Sequence, residues 1–578
     1  MLNRSSLLNR IPLFNDLRRH LRADFLADTI AGSSTAILII PQAIAYALLA
    51  GLPAQMGLYA AIIAPLVYAL LGSSRTVIIG PAAVQAVMVA AALAPLAGAE
   101  SNVQVAGALM IGLGSGALLL GLGILRLGWL THFISNPVLS GFTTGAVLYI
   151  IITQTGTLLG IPVPRDASPV ASMWSLIVGL PKFQLVTAVC GVSAIGCLWL
   201  ARDIGSIIAR RFGWKPQAGE QIGRISPLLI VFVFTVLSLG FGLAQRYGVP
   251  VVGAIPQALP SLHLSMPSGV DWRRLAPDTI LIALIGYIES LSVAKALAFR
   301  RRERINPDRE LVALGLTNMA VVAFGGMPVA GSFSKSVVNF EAGARTQLSG
   351  LIAAAWVTVC VVSLTGLLHA LPRAVLAAII ILAVSRLIDF RSIKETWRYD
   401  RGDGAAQALT IACVLIFGVE MGLLIGAGFA ASLFLYRTSR PNILVVGLVP
   451  GTQHFRSVRR NDVVTYEHLL MIRIDENLYF ANTPRVETEL QRLVADYPKA
   501  TDVVLILSGI GYIDASSLDM LDNFERELTR VGSRLHLAEF KSQVIDRLQK
   551  TDLFQRLGPT RIHRSTYAVL MSFDSGLF

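Results

Sequence analysis

The chain has 578 residues, of which 54% are hydrophobic and only 15% are charged, and its formal net charge at pH 7 is +13. Soluble globular domains carry about 25% charged residues, and disordered chains are poor in apolar residues, so this composition excludes both classes. The excess of apolar side chains indicates a membrane protein.

The charge is divided unevenly along the chain. Residues 1–440 hold 33 Lys and Arg against 19 Asp and Glu, whereas residues 441–578 hold 16 against 17. No basic stripe interleaved with aromatic residues accompanies the excess, so no nucleic-acid partner is predicted. The four cysteines lie in apolar runs without a CxxC pair or a Cys/His cluster, so neither a disulfide framework nor a metal site is predicted. No cofactor is predicted either.

Apolar stretches dominate the chain after residues 1–26, which are polar and basic and are predicted to be a cytoplasmic N-terminal segment. A bilayer span needs about 20 apolar residues. Fourteen predicted spans follow, at 27–50, 53–71, 76–97, 103–125, 133–160, 172–200, 225–245, 277–298, 311–326, 328–342, 347–370, 372–388, 405–418 and 420–436.

The basic residues predict the orientation of these spans. With the N-terminus inside, the cytoplasmic segments hold 25 Lys and Arg and the outside connections hold six. This bias satisfies the positive-inside rule and favours an even number of spans. We therefore expect a multi-pass protein of the inner (cytoplasmic) membrane with both termini in the cytoplasm and a transmembrane domain over residues 27–440.

Residues 441–578 show a different pattern. Two short apolar runs, 502–508 and 534–540, are typical of buried strands, and helix-like stretches lie near 484–497, 516–530 and 541–549. Strands that alternate with helices predict a small α/β domain with a mainly parallel sheet.

Two of the predicted spans are interrupted by proline. Pro81 and Pro328 are 247 residues apart, and the same offset relates Gln42 to Glu289. Two features with one spacing suggest two repeats of seven spans, about 27–247 and 277–438. Because each repeat has an odd number of spans, the second repeat has the opposite orientation in the membrane. Inverted repeats with broken helices are typical of a secondary transporter whose binding site lies at mid-membrane.

Each broken span places the start of a half-helix inside the membrane. Such a start presents free N–H groups and about half a positive charge. Two of them, from Ala82–Val84 and Ser332–Ser334, would form an anion cradle. The alternative is that Gly-Pro only kinks a packed helix, which membrane proteins tolerate.

Glu289 and Lys335 are the ionisable residues that lie well inside a span and beside these breaks. A charge at mid-membrane costs at least about 2.5–3.5 kcal/mol, so both are functional candidates. We expect Lys335 to bind the anion and Glu289 to carry a proton. The alternative is a permanent Glu289–Lys335 ion pair.

Several motifs resemble the sulfate permease (SulP) family of anion transporters, and they occur along the whole chain in the family's order. They are Pro41–Tyr46 (PQAIAY), Leu52–Tyr59 (LPAQMGLY), Gly72–Arg75 (GSSR), Gly80-Pro81, Gly331–Asn339 (GSFSKSVVN), Ala342–Thr346 (AGART) and, at the core of a C-terminal STAS domain, Ile513–Ser517 (IDASS).

The resemblance implies seven plus seven inverted repeats, divided into core and gate domains, usually in a homodimer with an elevator-like motion. It implies a STAS domain over residues 441–578. It places the substrate between spans one, three, eight and ten, at Gln42, Tyr46, Ala83, Ser332, Phe333, Ser334 and Lys335.

The resemblance also implies proton coupling at Glu289, because sodium-coupled relatives tend to have Asp there with a hydroxyl nearby. Val293, one turn further, offers no oxygen ligand for sodium. Two positions depart from the family. Lys335 stands where Arg is frequent in the family; it keeps the positive charge but lacks the bidentate fork of a guanidinium group. Ala515 follows Asp514 where related domains carry a phosphorylatable serine. Capping of a helix by Asp514 or Ser516 is the alternative role of that loop.

The function predicted is proton-coupled uptake of sulfate, with C4-dicarboxylate or bicarbonate as alternative anions. The sequence contains no nucleophile–base pair, metal cluster or phosphate-binding loop, so no enzyme activity is predicted. A rival hypothesis is a membrane sensor whose STAS domain signals to a cytoplasmic protein partner.

Overall fold

The computed structural model describes residues 23–96, 101–129, 135–163, 169–211, 216–262, 270–363 and 365–573. The chain forms two compact units, Met1–Gly428 and Phe429–Phe578. The division falls inside a helix, whereas the sequence predicts a boundary after residue 440, where that helix has ended.

The first unit is helical, and two strands of two residues interrupt it, β1 (Ile79–Gly80) and β2 (Ala330–Gly331). Its helices are α1 (Ala23–Leu49), α2 (Ala54–Leu71), α3 (Ala83–Leu93), α4 (Ser101–Ile124), α5 (Asn136–Leu159), α6 (Pro169–Gly179), α7 (Leu185–Arg211), α8 (Pro216–Phe241), α9 (Leu243–Tyr247), α10 (Trp272–Arg301), α11 (Pro307–Ala323), α12 (Phe333–Glu341), α13 (Leu348–Ser363), α14 (Thr365–Leu368), α15 (Arg373–Ser385), α16 (Phe390–Tyr399), α17 (Arg401–Phe417) and α18 (Val419–Thr438).

Every predicted span contains a helix, but the spans differ in form. By length and composition, six of the described helices could each cross a membrane alone, namely α1, α2, α4, α5, α10 and α18. A seventh crossing results if α6 and α7, which are bent by 117°, count as one span. The spans predicted at Pro81 and Pro328 each consist of a short strand followed by a short helix, as expected for broken helices.

The helices pack into two bundles within this unit. Helices α1–α4 and α10–α13 form one bundle, in which α11 packs on α4 and α2, and α13 packs on α1 and α2. We call it the broken-helix bundle, because it contains both interrupted spans. We call α5, α7, α8, α15 and α17 the flanking bundle, in which α8 packs on α7 and both α15 and α17 pack on α5. The two bundles meet where α8 and α15 contact α1.

Small residues allow the close packing of the broken-helix bundle. A Cβ at Gly57 would lie 2.0 Å from the carbonyl oxygen of Ala43, so α2 crosses α1 beside Gln42 at backbone contact. A Cβ at Gly116 would lie 2.8 Å from the carbonyl oxygen of Gly315, so α4 also approaches the backbone of α11 closely. Membrane helices associate through such small residues because lipid supplies no hydrophobic driving force between them.

The second unit contains the end of α18 and an α/β domain whose sheet has the order β4-β3-β5-β6-β7-β8. Strands β5 to β8 are parallel, and β3 and β4 add an antiparallel edge, so the predicted mainly parallel sheet is confirmed. The strands are β3 (Ile443–Leu448), β4 (Phe455–Ser457), β5 (Leu469–Ile474), β6 (Asp502–Ile506), β7 (Arg534–Ala538) and β8 (Ile562–His563), and the helices are α19 (Thr483–Asp496), α20 (Ala515–Arg530), α21 (Ser542–Leu548), α22 (Asp552–Leu557) and α23 (Thr566–Phe573).

The loop before α20 has a structural role. The Asp514 carboxylate accepts hydrogen bonds from the Ser517 N–H at 2.9 Å and from the Phe480 N–H at 2.7 Å, and it thereby caps the helix. The capping interpretation of this loop is therefore confirmed for Asp514.

Candidate functional site

The two short strands join the breaks in the two spans. β1 and β2 pair antiparallel, with Ile79 opposite Gly331 and Gly80 opposite Ala330. The Ser332 N–H donates to the Ile78 carbonyl at 3.3 Å. Because the strands are antiparallel, α3 begins just beyond one end of this short pair and α12 just beyond the other. The sequence motifs predicted that these segments meet, and the structure brings them together.

Both helix starts lack a side-chain cap. The N-cap of α3 is Ala82 and that of α12 is Ser332, and neither side chain accepts a hydrogen bond from its helix. The first N–H groups of a helix have no partner within it, and they attract anions together with the helix dipole. Two such uncapped starts that flank one strand pair supply donors of the kind that an anion requires.

Lys335 adds a full positive charge to this point. Its side chain is 1% exposed, and its ammonium group donates to the Pro81 carbonyl oxygen across the strand pair. The same ammonium nitrogen lies 5.9 Å from the centre of the Tyr46 ring. A Cβ at Gly80 would lie 3.4 Å from it, which is an ordinary contact distance, so the ammonium group lies directly beside β1.

The remaining residues predicted to bind the substrate differ in their exposure. Gln42 and Tyr46 are separated by one turn of α1, so they share a face, and both are buried. Ala83 and Ser332 are buried at the helix starts, whereas the Phe333 ring is 45% exposed. The Ser334 hydroxyl lies 3.4 Å from that of Ser332.

Glu289 lies on α10 and faces the same region. It interacts electrostatically with Lys335 and with Tyr46, and its Oε2 atom is buried without a hydrogen-bond partner. Within the described ranges, no basic side chain lies within 4.0 Å of its carboxylate. The permanent Glu289–Lys335 pair is therefore not formed in this structure, and Lys335 bonds to Pro81 instead.

Gln85 was not among the residues predicted from the sequence, although it belongs to the same region. It lies on the first turn of α3 and is 3% exposed, and its Oε1 has no hydrogen-bond partner. Its amide nitrogen would lie 3.0 Å from a Cβ at Gly286 of α10. The available signal was a single amide in the apolar run that follows Gly80-Pro81.

Ser290 was also missed, and it positions the strand pair. Its hydroxyl accepts a hydrogen bond from the Gly331 N–H at 2.6 Å and donates to the Gly286 carbonyl at 2.5 Å. A Cβ at Gly331 would lie 2.8 Å from the Ser290 Cα, so β2 lies directly on α10. This contact fixes the start of α12 relative to Glu289.

Two motif loops have structural roles away from this site. The Glu310 carboxylate accepts hydrogen bonds from the Ser73 hydroxyl at 2.6 Å and from the Tyr68 hydroxyl at 2.8 Å. Asp28 accepts from the Arg345 N–H at 2.6 Å and from the Thr346 hydroxyl at 2.5 Å. These two carboxylates hold the loops that connect α2 to β1 and α12 to α13.

The described residues contain no cluster of three His, Cys, Asp or Glu side chains that could hold a metal ion. The site contains amides, hydroxyls, one ammonium and one carboxyl group. It can therefore bind a small oxyanion through several N–H and O–H donors and can exchange a proton at Glu289.

Comparisons with known proteins cover nearly the whole chain. The model of the sulfate permease family matches residues 25–410, and that of the STAS domain matches residues 460–567. "Sulfate transporter 4.1, chloroplastic" of Arabidopsis thaliana is 32% identical over 571 residues, which cover 94% of this chain and 81% of that protein. A probable sulfate transporter of Mycobacterium tuberculosis is 32% identical over 563 residues, 96% of each chain.

Solved structures match the fold. The murine Solute Carrier 26 family member A9 anion transporter, in its inward-facing state, superposes with a TM-score of 0.88 at 20% identity over 99% of this chain and 95% of that one. The transmembrane domain of the cyanobacterial bicarbonate transporter BicA superposes with a TM-score of 0.58 at 25% identity, over 70% of this chain and 98% of that one.

Proposed function

The chain belongs to the sulfate permease family, and from this premise we propose that it carries sulfate into the cell together with protons. The observation that carries the proposal is the strand pair that joins two uncapped helix starts, with the buried Lys335 of one helix bonded to Pro81 at the start of the other. A tetrahedral oxyanion can accept hydrogen bonds from both helix starts at once. The relatives named as sulfate transporters favour sulfate among such anions.

Proton coupling is proposed because a dianion enters a negative interior at a cost. Each charge moved across 100 mV costs about 2.3 kcal/mol, so sulfate meets about twice that. A proton on Glu289 offsets half of the cost. Glu289 is suited to this role because it lies beside the site and forms no ion pair in this structure.

We further propose that the broken-helix bundle moves as one body past the flanking bundle. Gln42, Gln85, Glu289 and Lys335 come from α1, α3, α10 and α12, which all belong to the broken-helix bundle. The site can therefore move between the two membrane surfaces without coming apart. We also propose that the protein is a homodimer in the inner membrane and that both termini of each copy lie on the cytoplasmic side.

Bicarbonate is the second candidate substrate. The fold likeness to the transmembrane domain of the bicarbonate transporter BicA covers 70% of this chain. One proton on Glu289 would neutralise a monoanion completely, whereas it neutralises sulfate only by half. A C4-dicarboxylate remains the third candidate, since its carboxylates also accept N–H donors.

The test is uptake by the purified full-length protein in liposomes. Sulfate, bicarbonate, fumarate and chloride are compared under an imposed pH gradient, with the membrane potential held at zero. We expect saturable sulfate uptake that the gradient drives above equilibrium. Uptake of another anion alone would replace the substrate, and a current that does not saturate would indicate a channel instead of a carrier.

A further inference from the structure

Helix α16 (Phe390–Tyr399) is a feature that the transport proposal does not use. It connects α15 to α17, two helices that lie in the spans predicted at 372–388 and 405–418, so we expect its ends to lie at a membrane surface. The sequence counts its basic residues only as an indicator of orientation, and by the positive-inside bias this connection is cytoplasmic.

The local sequence makes α16 a separate helix with two defined ends. Asp389 caps its start by accepting a hydrogen bond from the Ser392 N–H at 2.9 Å. Asp400 follows its last residue and caps α17 instead, by accepting from the Gly402 N–H at 2.7 Å and from the Asp403 N–H at 2.9 Å. An N-cap residue is not helical, so the chain turns here and α16 does not continue into α17.

One side of α16 packs on α17, and the rest is exposed. Ser392, Ile393 and Thr396 are partly buried, and the Trp397 ring lies over Gly404 of α17. Phe390 remains 71% exposed and Trp397 remains 50% exposed. Such large aromatic side chains beside membrane-spanning helices are typical of the lipid–water interface.

The helix is amphipathic, and its apolar stripe runs along the edge of the side that packs on α17. Phe390, Ile393 and Trp397 have the spacing i, i+3, i+7 and form an apolar stripe, while the same spacing from Arg391 places Lys394 and Arg398 in a basic stripe directly beside it. Arg391 pairs with Glu395 at 2.7 Å. Neither Lys394 nor Arg398 forms an ion pair with any residue that the structure describes.

We propose that α16 lies flat on the cytoplasmic leaflet and binds the headgroups of anionic phospholipids. The Phe390 and Trp397 rings enter the boundary between headgroups and acyl chains, and Lys394 and Arg398 contact the phosphates above it. Long basic side chains next to an apolar stripe have the reach for this arrangement. The flanking bundle is thereby held in the bilayer surface, whatever anion the protein carries.

The first experiment measures lipid dependence without transport. The full-length protein is reconstituted in nanodiscs of phosphatidylcholine alone or mixed with phosphatidylglycerol, and its melting temperature is compared. We expect the anionic lipid to raise the melting temperature, and this upward shift to be lost in K394Q/R398Q and to shrink in high salt. The matched control is R273Q/R274Q, which removes two exposed arginines at the start of α10 and keeps the shift. An unchanged shift in K394Q/R398Q would overturn the proposal.

The second experiment measures where the helix lies. Nitroxide labels are placed on Phe390→Cys and, separately, on Tyr399→Cys, after the exposed Cys197 is changed to Ser. These two positions lie on opposite sides of α16. We expect the label at 390 to be relaxed by lipid-soluble oxygen and the label at 399 by a water-soluble nickel chelate. Equal access of the chelate to both labels would overturn the proposal, and so would spin–spin broadening at 390, which would indicate a second copy of the chain on this face.

Discussion

The two units of the molecule differ in whether all of their buried polar side chains have partners. In the second unit, the Asp502 carboxylate accepts hydrogen bonds from Arg534 Nε at 2.8 Å and from His536 Nε2 at 3.0 Å, and His536 Nδ1 lies 3.1 Å from His563 Nε2. In the membrane unit, buried side-chain atoms without any partner occur at several positions, and across the described ranges all such atoms belong to that unit.

Three of these partnerless groups gather at the broken helices. They are both amide atoms of Gln42, Oε1 of Gln85 and Oε2 of Glu289. A buried polar atom without a partner costs about 1–3 kcal/mol, so folded proteins retain few of them. The difference teaches that the cluster around Asp502 is complete by itself and holds strands together, whereas the three unpartnered groups at the broken helices leave bonding capacity unused, as the proposed transport site requires.

The largest expected effect follows from replacing Glu289, the carboxyl group beside the broken helices. Glu289→Gln keeps the shape and removes the titrating proton, so it abolishes accumulation driven by pH while anion exchange continues. With the membrane potential held at zero, a gradient of one pH unit and one coupled proton give about tenfold accumulation, and the variant gives none. Sulfate accumulation in liposomes measures this. Unchanged accumulation by the variant would show that Glu289 is not the coupling residue.

Next in size is the loss of the buried cation. Lys335→Ala should raise the KM for sulfate by at least about tenfold, because a hydrogen bond to a charged group contributes about 1.5–3 kcal/mol. Initial rates of sulfate uptake measure this. Lys295→Ala is the matched control, since Lys295 is exposed on α10 and should leave the KM unchanged. An unaltered KM in Lys335→Ala would count against the anion cradle.

Changes in the cluster around Asp502 should alter the stability of the second unit and leave transport unchanged. Asp502→Asn removes the charge that Arg534 and His536 share, and we expect it to lower the free energy of opening of β6 and β7 by about 1–3 kcal/mol. Hydrogen exchange of these strands in the full-length protein measures this, with the exposed Asp546→Asn as control. A changed KM for sulfate in Asp502→Asn would contradict the contrast between the two units.

Gln85→Leu should do the reverse of Asp502→Asn: it should raise the KM for sulfate and leave the stability intact. The size of the effect should be smaller. The substitution removes a buried amide oxygen that has no hydrogen-bond partner, so the melting temperature should be kept or raised. If Gln85 bonds to the anion, the KM should rise about threefold, since a neutral hydrogen bond contributes about 0.5–1.5 kcal/mol. A large loss of thermal stability with an unchanged KM would place Gln85 among the structural residues.

The smallest expected effect is a loss of stability at mildly acidic pH around His536 and His563. Burial lowers the pKa of both His536 and His563, and in His563 the neighbouring His536 lowers it further. The folded domain therefore favours the neutral rings. Stability is complete above their ordinary pKa of about 6.5 and falls as the pH decreases below it, because the unfolded chain then binds protons that the folded chain does not. Hydrogen exchange of β7 and β8 measures this, and exchange that stays constant from neutral to mildly acidic pH would contradict it.

The sequence was sufficient for the features that a single local pattern encodes. Gly80-Pro81 and the Gly325–Pro328 stretch interrupt apolar runs and so predicted the broken spans, and the apolar runs at 502–508 and 534–540 predicted β6 and β7. Glu289 and Lys335 were recognisable because charges are rare inside spans. Each of these signals lies within a few residues of the element that it predicts.

Features that depend on distant contacts could not be predicted from such patterns. β1 and β2 have two residues each, too few for any periodicity, and only their mutual pairing makes them strands. The helices α3 and α12 begin 250 residues apart, whereas their prolines are 247 apart, so the two breaks have connections of different length. Gln85 becomes notable only when the structure shows that its oxygen has no partner.

The pairing of β1 with β2 has a consequence for biogenesis. Before the ribosome has synthesised Ala330 and Gly331, the backbone of Ile79 and Gly80 has no strand to bond with, and an unpaired peptide group inside a bilayer costs several kcal/mol. We therefore expect the first broken helix to reach its final place in the membrane only after the second strand has been synthesised.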